Sequence, residues 1–269
     1  MSALKSRLNM NYQTLEIETH HQVATVWMNR PELHNAFDER LIRELTEVFE
    51  RLDRDGAIRV VVLGGRGKSF SAGADLNWMK RAAGYTVEEN RRDARTLAYL
   101  LKTINRLSKP TVARVQGAAL GGGTGLTTAC DMAIASTLAS FATTEVKFGI
   151  IPAAISPYVI AAIGSRMASR YFLTAERFDA VEAHRIGMVH EVCAPEALDE
   201  RIDAIVGALL TGGPLAQHAA KELIRIHRPV ADAVIEDTAQ RIAHLRATPE
   251  AKEGIGAFLE KRKPRWIKE

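Results

Sequence analysis

The chain has 269 residues, of which 46% are hydrophobic and 25% are charged, and this composition is ordinary for a globular protein. The formal net charge of +4 is spread along the chain, which argues against nucleic acid as a partner and leaves attraction for an anionic, nucleotide-bearing ligand open. No apolar run approaches the roughly 18 residues of a membrane span, and the first residues have no apolar signal region, so neither a membrane segment nor a signal peptide is expected.

Cysteine use indicates the compartment. Cys130 and Cys193 are the two cysteines, and no clustered His or Cys accompanies them. Neither a disulfide framework nor a metal site is therefore expected, and a reducing cytoplasm fits best.

The first predicted elements are a hairpin and a helix. Residues 12–28 alternate apolar and polar side chains around a polar turn, which predicts two antiparallel strands. Asp38 then precedes apolar residues at helical spacing, so it is predicted to cap a helix. The apolar stripe of that helix consists of Leu41, Ile42, Leu45, Val48, Phe49 and Leu52.

Strands and helices then alternate. Residues 59–65 predict a short buried strand, and Thr86 with Glu89 forms a capping box before a long helix predicted to end near Leu107. Further strands are predicted in SKPTVARVQG and DMAIAS, with a glycine-dense turn and a short helix between them. After Glu145 the chain is predicted to be mainly helical. This order predicts an α/β fold with a helical extension.

Two glycine clusters follow predicted strands, and both fail as nucleotide loops. In GGRGKS, a P-loop would need glycine where Val62 stands. In residues 121–125, the dinucleotide template fails because Leu126 or Thr128 occupies the last glycine position. Free N–H groups at two such turns could form an oxyanion hole if the turns converge. Tight packing of strand against helix is the alternative role for these glycines.

Five ordered motifs resemble the enoyl-CoA hydratase/isomerase (crotonase) superfamily. They are NRPELHNAF, SFSAGADL, VQGAALGGGTGL, CDMAIAS and EGIGAFLEKRKPRW, and together they cover nearly the whole chain. The resemblance implies an α/β crotonase (ClpP-like) spiral of repeated ββα units in residues 1–200, which would hold the acyl-CoA site. It also implies a helical C-terminal region, residues 201–269, that helps to build trimers, often paired into hexamers.

The resemblance also implies roles for single residues. The main-chain N–H groups of Ala74 and Gly122 would hold the thioester oxygen, and Glu145 would transfer protons. A lysine on the last helix of such proteins can approach the CoA phosphates, and Lys261 is the matching candidate. CoA would be part of the substrate, and no separate cofactor or metal is expected. The other predicted substrate- or CoA-binding residues are Ala36, Ser71, Ala72, Asp75, Leu76, Gly121 and Trp78.

One position departs from the pattern of the family. Hydratases of this kind usually have a further glutamate two residues after the GGG run, and this chain has Gly125. Glu145 alone could shuttle a proton between two carbons, as an isomerase does. Alternatively, other groups could hold a water while Glu145 transfers its proton. For Glu145 itself, a surface ion pair with Lys147 is the structural alternative.

The sequence around the departure suggests a substrate. GGGTGL, IPAAISPYVIAAIG and RYFLTAERF resemble a methylglutaconyl-CoA hydratase branch that serves leucine or acyclic isoprenoid breakdown. Such substrates have a distal carboxylate, for which the candidate partners are Lys80, Arg81 and Lys147. The predicted lining of the acyl pocket is Trp78, Met79 and Tyr85, with core packing as the equal alternative.

The predicted function is hydration of an α,β-unsaturated acyl-CoA, in fatty acid or leucine degradation. An enoyl-CoA isomerase is the first alternative. A non-catalytic acyl-CoA or RNA binder on the same scaffold is the second.

Overall fold

A six-stranded sheet forms the centre of the computed structural model, which describes residues 12–227 and 230–267. The predicted hairpin is present as β1 (Leu15–His20) and β2 (Val23–Met28). The other four strands are β3 (Val60–Gly65), β4 (Thr111–Val115), β6 (Met132–Ser136) and β9 (Glu191–Cys193). The strand order is β1-β2-β3-β4-β6-β9, and every pair after the hairpin is parallel.

A second, smaller sheet contains three short strands. They are β5 (Ala118–Leu120), β7 (Ser140–Ala142) and β8 (Phe178–Asp179), in the order β5-β7-β8. Successive units β4-β5 and β6-β7 each give one strand to each sheet and continue into a helix. Those helices are α4 (Gly122–Ala129) and α5 (Ser156–Thr174). This repetition confirms the predicted spiral of ββα units.

Both faces of the large sheet are covered. Val61 and Leu63 of β3 face the main core, whereas Val60 and Val62 pack with residues of α7 (Leu198–Thr211). A parallel strand buried on both faces reads as a continuous apolar run, which is why residues 59–65 lack alternation.

Of the three α-helices before β4, the first and the third begin where the sequence predicted, whereas the second was not predicted. In α1 (Glu39–Arg54) the Asp38 carboxylate accepts a hydrogen bond from the Leu41 N–H at 2.8 Å, and the whole predicted stripe is buried. Next come α2 (Leu76–Ala82) and α3 (Val87–Asn105), the latter starting with the predicted capping box. The end of α3 lies two residues before the predicted Leu107.

The C-terminal part is helical. It contains α6 (Ala180–Arg185), α7, α8 (Pro214–His227), α9 (Asp232–Arg246) and α10 (Pro249–Leu259). The boundary predicted at residue 200 falls within α7, and the division into two domains stays a prediction. None of the helices in the described ranges is long and apolar enough to cross a bilayer.

Candidate active site

Two chain segments run side by side at the edge of the small sheet. The Ser71 N–H donates to the Ala118 carbonyl at 3.0 Å, and the Leu120 N–H donates to the Ser71 carbonyl at 2.9 Å. These bonds pair Ser71 with Ala119 in parallel. Continued three residues further, this register brings Ala74 beside Gly122.

The Ala74 N–H makes no hydrogen bond to Phe37, the residue with which Ala74 pairs on the side away from Gly122. Phe37 pairs with Ala74 in parallel, but its N–H donates to the Gly73 carbonyl at 2.7 Å and its carbonyl accepts from the Asp75 N–H at 2.8 Å. No acceptor for the Ala74 N–H occurs within residues 12–227 and 230–267. Ala74 is solvent-exposed, so this donor is open to a ligand.

The Gly122 N–H is free for a different reason. Gly122 is the first residue of α4, and the first N–H groups of a helix have no acceptor within it. The preceding Gly121 has φ +50°, and Gly73 has φ +90°, both in the region that favours glycine. A Cβ on Gly73 would lie only 3.9 Å from the Gly121 Cα, so the two turns touch. The fold therefore brings the two donor residues, Ala74 and Gly122, to the wall of one cavity.

Glu145 faces the same point. It begins a short 3-10 helix, Glu145–Phe148, and its Oε1 lies 3.2 Å from the Cβ position of Gly121. The residue as a whole is partly exposed, but Oε2 is buried and has no hydrogen-bond partner in the described part of the chain. Burial raises the pKa of Glu145 to about 7, against a smaller opposing effect of a main-chain hydrogen bond. A carboxyl with this pKa can both accept and return a proton near neutral pH.

The alternative surface role for Glu145 does not occur. Within the described ranges, Glu145 makes no ion pair with Lys147, which is exposed. The carboxylate instead opens into a cavity of about 280 Å³.

The cavity wall is largely apolar. Ala74, Gly121, Gly122 and Glu145 occupy one part of it, together with Thr144. Apolar members of the wall include Phe37, Ala72, Trp78, Met79, Ile155 and Phe258. Apolar walls with a few polar groups are typical of small-ligand sites, and they exclude water from the reacting atoms.

Several predicted binding residues support the site from behind the wall. The Ser71 side chain is fully buried, and its hydroxyl donates to the Asn35 carbonyl at 2.9 Å. Asp75 caps α2 by accepting from the Asn77 N–H at 2.8 Å. Arg30 holds Asp75 at 3.1 Å and also donates to the Ala36 carbonyl at 2.6 Å.

Other predicted residues lie away from the cavity. Leu76 is 52% exposed and Tyr85 lines a different groove, so neither belongs to this wall. The expectation that Lys261 lies on the last helix is wrong, because α10 ends at Leu259 and Lys261 follows it with φ +55°. The proposed contacts with CoA stay predictions.

The three basic candidates for a distal carboxylate are also outside the wall. Lys80, Arg81 and Lys147 do not line the cavity, and the Arg81 guanidinium is 2.7 Å from the Glu39 carboxylate at the surface.

The departure at Gly125 has a structural counterpart. A Cβ at Gly125 would lie 2.2 Å from Ile155 Cγ2. The Ile155 side chain thus takes the space that a glutamate at this position would need. Glu145 is the carboxylate that lines the cavity among the described residues.

Residues from the C-terminal helices complete the cavity, and sequence reasoning missed them. Ile242 and Arg246 of α9, with Ile255 and Phe258 of α10, line the wall. The Phe258 ring packs on Phe148 of the Glu145 segment, with centroids 4.6 Å apart. No local motif marks these residues, because they reach the site through packing across more than 90 positions of sequence.

The chain is similar to known proteins over nearly its whole length. Residues 18–269 match the model of the enoyl-CoA hydratase/isomerase family. The solved structure of an enoyl-CoA hydratase from Shewanella pealeana is 41% identical, with a TM-score of 0.79 over 95% of this chain and 97% of that one. An enoyl-CoA hydratase structure from Mycobacterium avium is 35% identical, with a TM-score of 0.84 over 95% and 99% of the two chains.

A further relative is known by its activity. The crotonyl-CoA hydratase of Syntrophomonas wolfei is 32% identical over 268 residues, covering 96% of this chain and 99% of that protein. The chain therefore belongs to the enoyl-CoA hydratase/isomerase family, within the crotonase superfamily of enzymes.

Proposed function

We propose that the protein hydrates the double bond of an α,β-unsaturated acyl-CoA thioester. One observation carries the proposal: the free N–H groups of Ala74 and Gly122 and the carboxyl of Glu145 open into one apolar cavity. Two converging N–H donors suit an oxygen on which negative charge develops. The thioester carbonyl of an enoyl-CoA is such an oxygen when the β-carbon is attacked.

The proposed reaction uses Glu145 twice. The ionised carboxylate takes a proton from water while the water oxygen bonds to the β-carbon. The electrons of the double bond move to the thioester oxygen, where the Ala74 and Gly122 N–H groups stabilise the enolate. The protonated Glu145 then gives its proton to the α-carbon, which restores the carbonyl. A pKa of about 7 suits both transfers.

A single-carboxylate site needs another group to orient the water. Among the described residues that line the cavity, Thr144 contributes a side-chain hydroxyl and is adjacent to Glu145 in sequence. We assign the Thr144 hydroxyl to this task. The reaction needs no metal or separate cofactor, since CoA is carried by the substrate.

Isomerisation is the second candidate. Ile155 occupies the space beside Gly125, so the usual second glutamate is replaced by an apolar contact. A lone buried carboxyl that removes a proton from one carbon and returns it to another would move a double bond without adding water.

For the substrate we propose a short, branched enoyl-CoA of the methylglutaconyl type. The motif resemblance at GGGTGL and IPAAISPYVIAAIG supports this choice, and a cavity of about 280 Å³ fits a short acyl group. The proposed setting is leucine breakdown in the cytoplasm. The proposed assembly is a trimer or a hexamer of this chain.

The test is a panel of straight, branched and carboxylated unsaturated CoA esters with product identification. If the protein is a hydratase, the products should be 3-hydroxyacyl-CoA esters, and the absorbance of the conjugated double bond should be lost. If the protein is an isomerase, it should convert a 3-enoyl ester to a 2-enoyl ester without uptake of water. Salt-sensitive retention on RNA with no turnover of any ester would contradict both.

A further inference from the structure

The acyl cavity contains one positive charge. Glu145 and Arg246 are the two charged side chains among the described residues that line it. Arg246 is the last residue of α9, and its side chain is 15% exposed. A guanidinium in an otherwise apolar wall is costly unless a partner compensates it, so its role needs a reason.

A buried carboxylate holds Arg246 in place. Its Nη1 donates to Asp93 Oδ2 at 2.7 Å, while Trp78 Nε1 donates to Asp93 Oδ1 at 2.9 Å. The guanidinium carbon also lies 5.8 Å from the centre of the Trp78 ring. The arginine is therefore fixed by α3 and α2 together, and its orientation is set before any ligand binds.

The fixed guanidinium still has donors to spare. An arginine carries five N–H donors, and the bond to Asp93 uses one of them. In the parts of the chain that the structure describes, neither Nε nor Nη2 of Arg246 has an acceptor, and neither atom is sealed off as a buried unpaired group. These donors are available to a group inside the cavity.

Arg246 and Glu145 reach the cavity from different elements, the end of α9 and the start of the 3-10 helix. Arg246 contacts Asp93 of α3 and the Trp78 ring of α2, whereas Glu145 Oε1 lies 3.2 Å from the Cβ position of Gly121, next to the turn that carries the Gly122 N–H. Because the two side chains have different neighbours in the wall, the guanidinium can meet a part of the acyl group away from the thioester.

We infer that Arg246 binds a carboxylate at the distal end of the acyl group, and so selects dicarboxylic acyl-CoA esters. This inference rests on the proposed function, since it names the substrate class of the same site. It also replaces Lys80, Arg81 and Lys147 as the partner of that carboxylate. The planar guanidinium suits a carboxylate because two parallel N–H groups meet its two oxygens.

The test measures binding, so that it does not depend on turnover. Calorimetry compares glutaryl-CoA with butyryl-CoA, saturated esters that differ in having or lacking the distal carboxylate. We expect the wild type to bind glutaryl-CoA at least as tightly as butyryl-CoA. Arg246→Met should lower the affinity for glutaryl-CoA roughly 10-fold or more, as expected for loss of a charged hydrogen bond. The affinity for butyryl-CoA should change little.

Two further variants separate recognition from folding. Arg241→Met removes another arginine of α9, one that pairs with Asp237 at the surface, and should leave both affinities unchanged. Arg246→Lys keeps the charge and should lose less affinity for glutaryl-CoA than Arg246→Met does.

Two results would overturn the inference. The first is tighter binding of butyryl-CoA than of glutaryl-CoA by the wild type, which needs no variant. The second is an equal loss of affinity for both esters in Arg246→Met. That result would mean that the arginine supports the packing of the cavity and does not recognise the carboxylate. Failure of the proposed function would give a different result from failure of this inference. If the protein is not a hydratase, no enoyl ester is hydrated, but the preference for binding glutaryl-CoA remains.

Discussion

Glu145 is a carboxyl in apolar surroundings, and the same burial that prepares it for proton transfer costs stability. Its Oε2 has no hydrogen-bond partner in the described part of the chain, and its pKa is raised to about 7. The unfolded chain would return this carboxyl to its ordinary pKa of 4.5. Folding therefore favours the protonated form, and ionisation opposes folding.

The sign of the pH dependence follows for Glu145→Gln. Below pH 4.5 the wild type keeps the full contribution of the protonated carboxyl, and it loses that contribution as the pH rises through 7. The free energy of unfolding of Glu145→Gln should therefore exceed that of the wild type at pH 8 by up to about 3 kcal/mol, with a smaller gap at pH 5. Urea unfolding at both pH values measures this gap, and a gap that shrinks toward pH 8 would contradict the buried placement.

Gly122 contributes a main-chain donor, so its test must separate the N–H from the side chain. Gly122→Pro removes the N–H, but any Cβ there would lie 2.2 Å from Phe37 Cε2. Gly122→Ala adds the same Cβ and keeps the N–H. We expect kcat of the proline variant to be roughly 100-fold or more below that of the alanine variant, as for loss of an oxyanion donor. Circular dichroism checks that both variants fold, and equal kcat values would remove this N–H from the mechanism.

At the scale of elements, the long helices and the long strands are predictable and the short strands are not. Asp38 and the Thr86–Glu89 capping box mark helix starts through local hydrogen bonds, so sequence alone locates them. β5 has three residues and lies where a glycine-dense turn was predicted, and β9 joins the large sheet with three residues. Strands this short are defined by their neighbours rather than by their own periodicity.

The helix α10 supports the Glu145 segment through a glycine. A Cβ on Gly254 would lie 2.4 Å from the backbone of Phe148, so helix and segment touch directly. Gly254→Ala should push them apart, destabilise the protein by about 1–3 kcal/mol and lower kcat. Gly256→Ala, on the same helix but with nothing within 4 Å, is the control and should be neutral or slightly stabilising. Thermal unfolding and kcat measure both effects, and equal behaviour of the two variants would contradict this contact.

At the scale of the molecule, the motifs predict the reacting groups, whereas tertiary packing determines which other residues line the cavity. Ala74, Gly122 and Glu145 were predicted from ordered motifs, and the fold brings them together. Arg246 and Phe258 were not predictable, since they come from C-terminal helices whose approach depends on tertiary contacts. Gly125 drew notice as a departure, but its neighbour Ile155 could be found only in the fold.

The exposed face of α8 bears on the proposed trimer. Leu215, Leu223 and Ile226 lie on one face of α8 by helical spacing and are 59–84% exposed, an unusual density of apolar surface for one helix. Light scattering after size exclusion should give three or six times the 29.6 kDa mass of one chain. Ile226→Glu should shift that mass toward one chain, whereas Val181→Glu, a like change at an exposed apolar residue of α6, should not. A monomeric wild type would contradict the proposed assembly.

Incubation of crotonyl-CoA in water enriched in heavy oxygen, followed by mass spectrometry of the products, tests the proposed site most directly. The wild type should place one water oxygen on the β-carbon. Glu145→Gln should still bind the ester but should incorporate the label at least roughly 100-fold more slowly, because its general acid–base group is gone. Label incorporation by Glu145→Gln at the rate of the wild type would show that the carboxyl takes no part in the reaction.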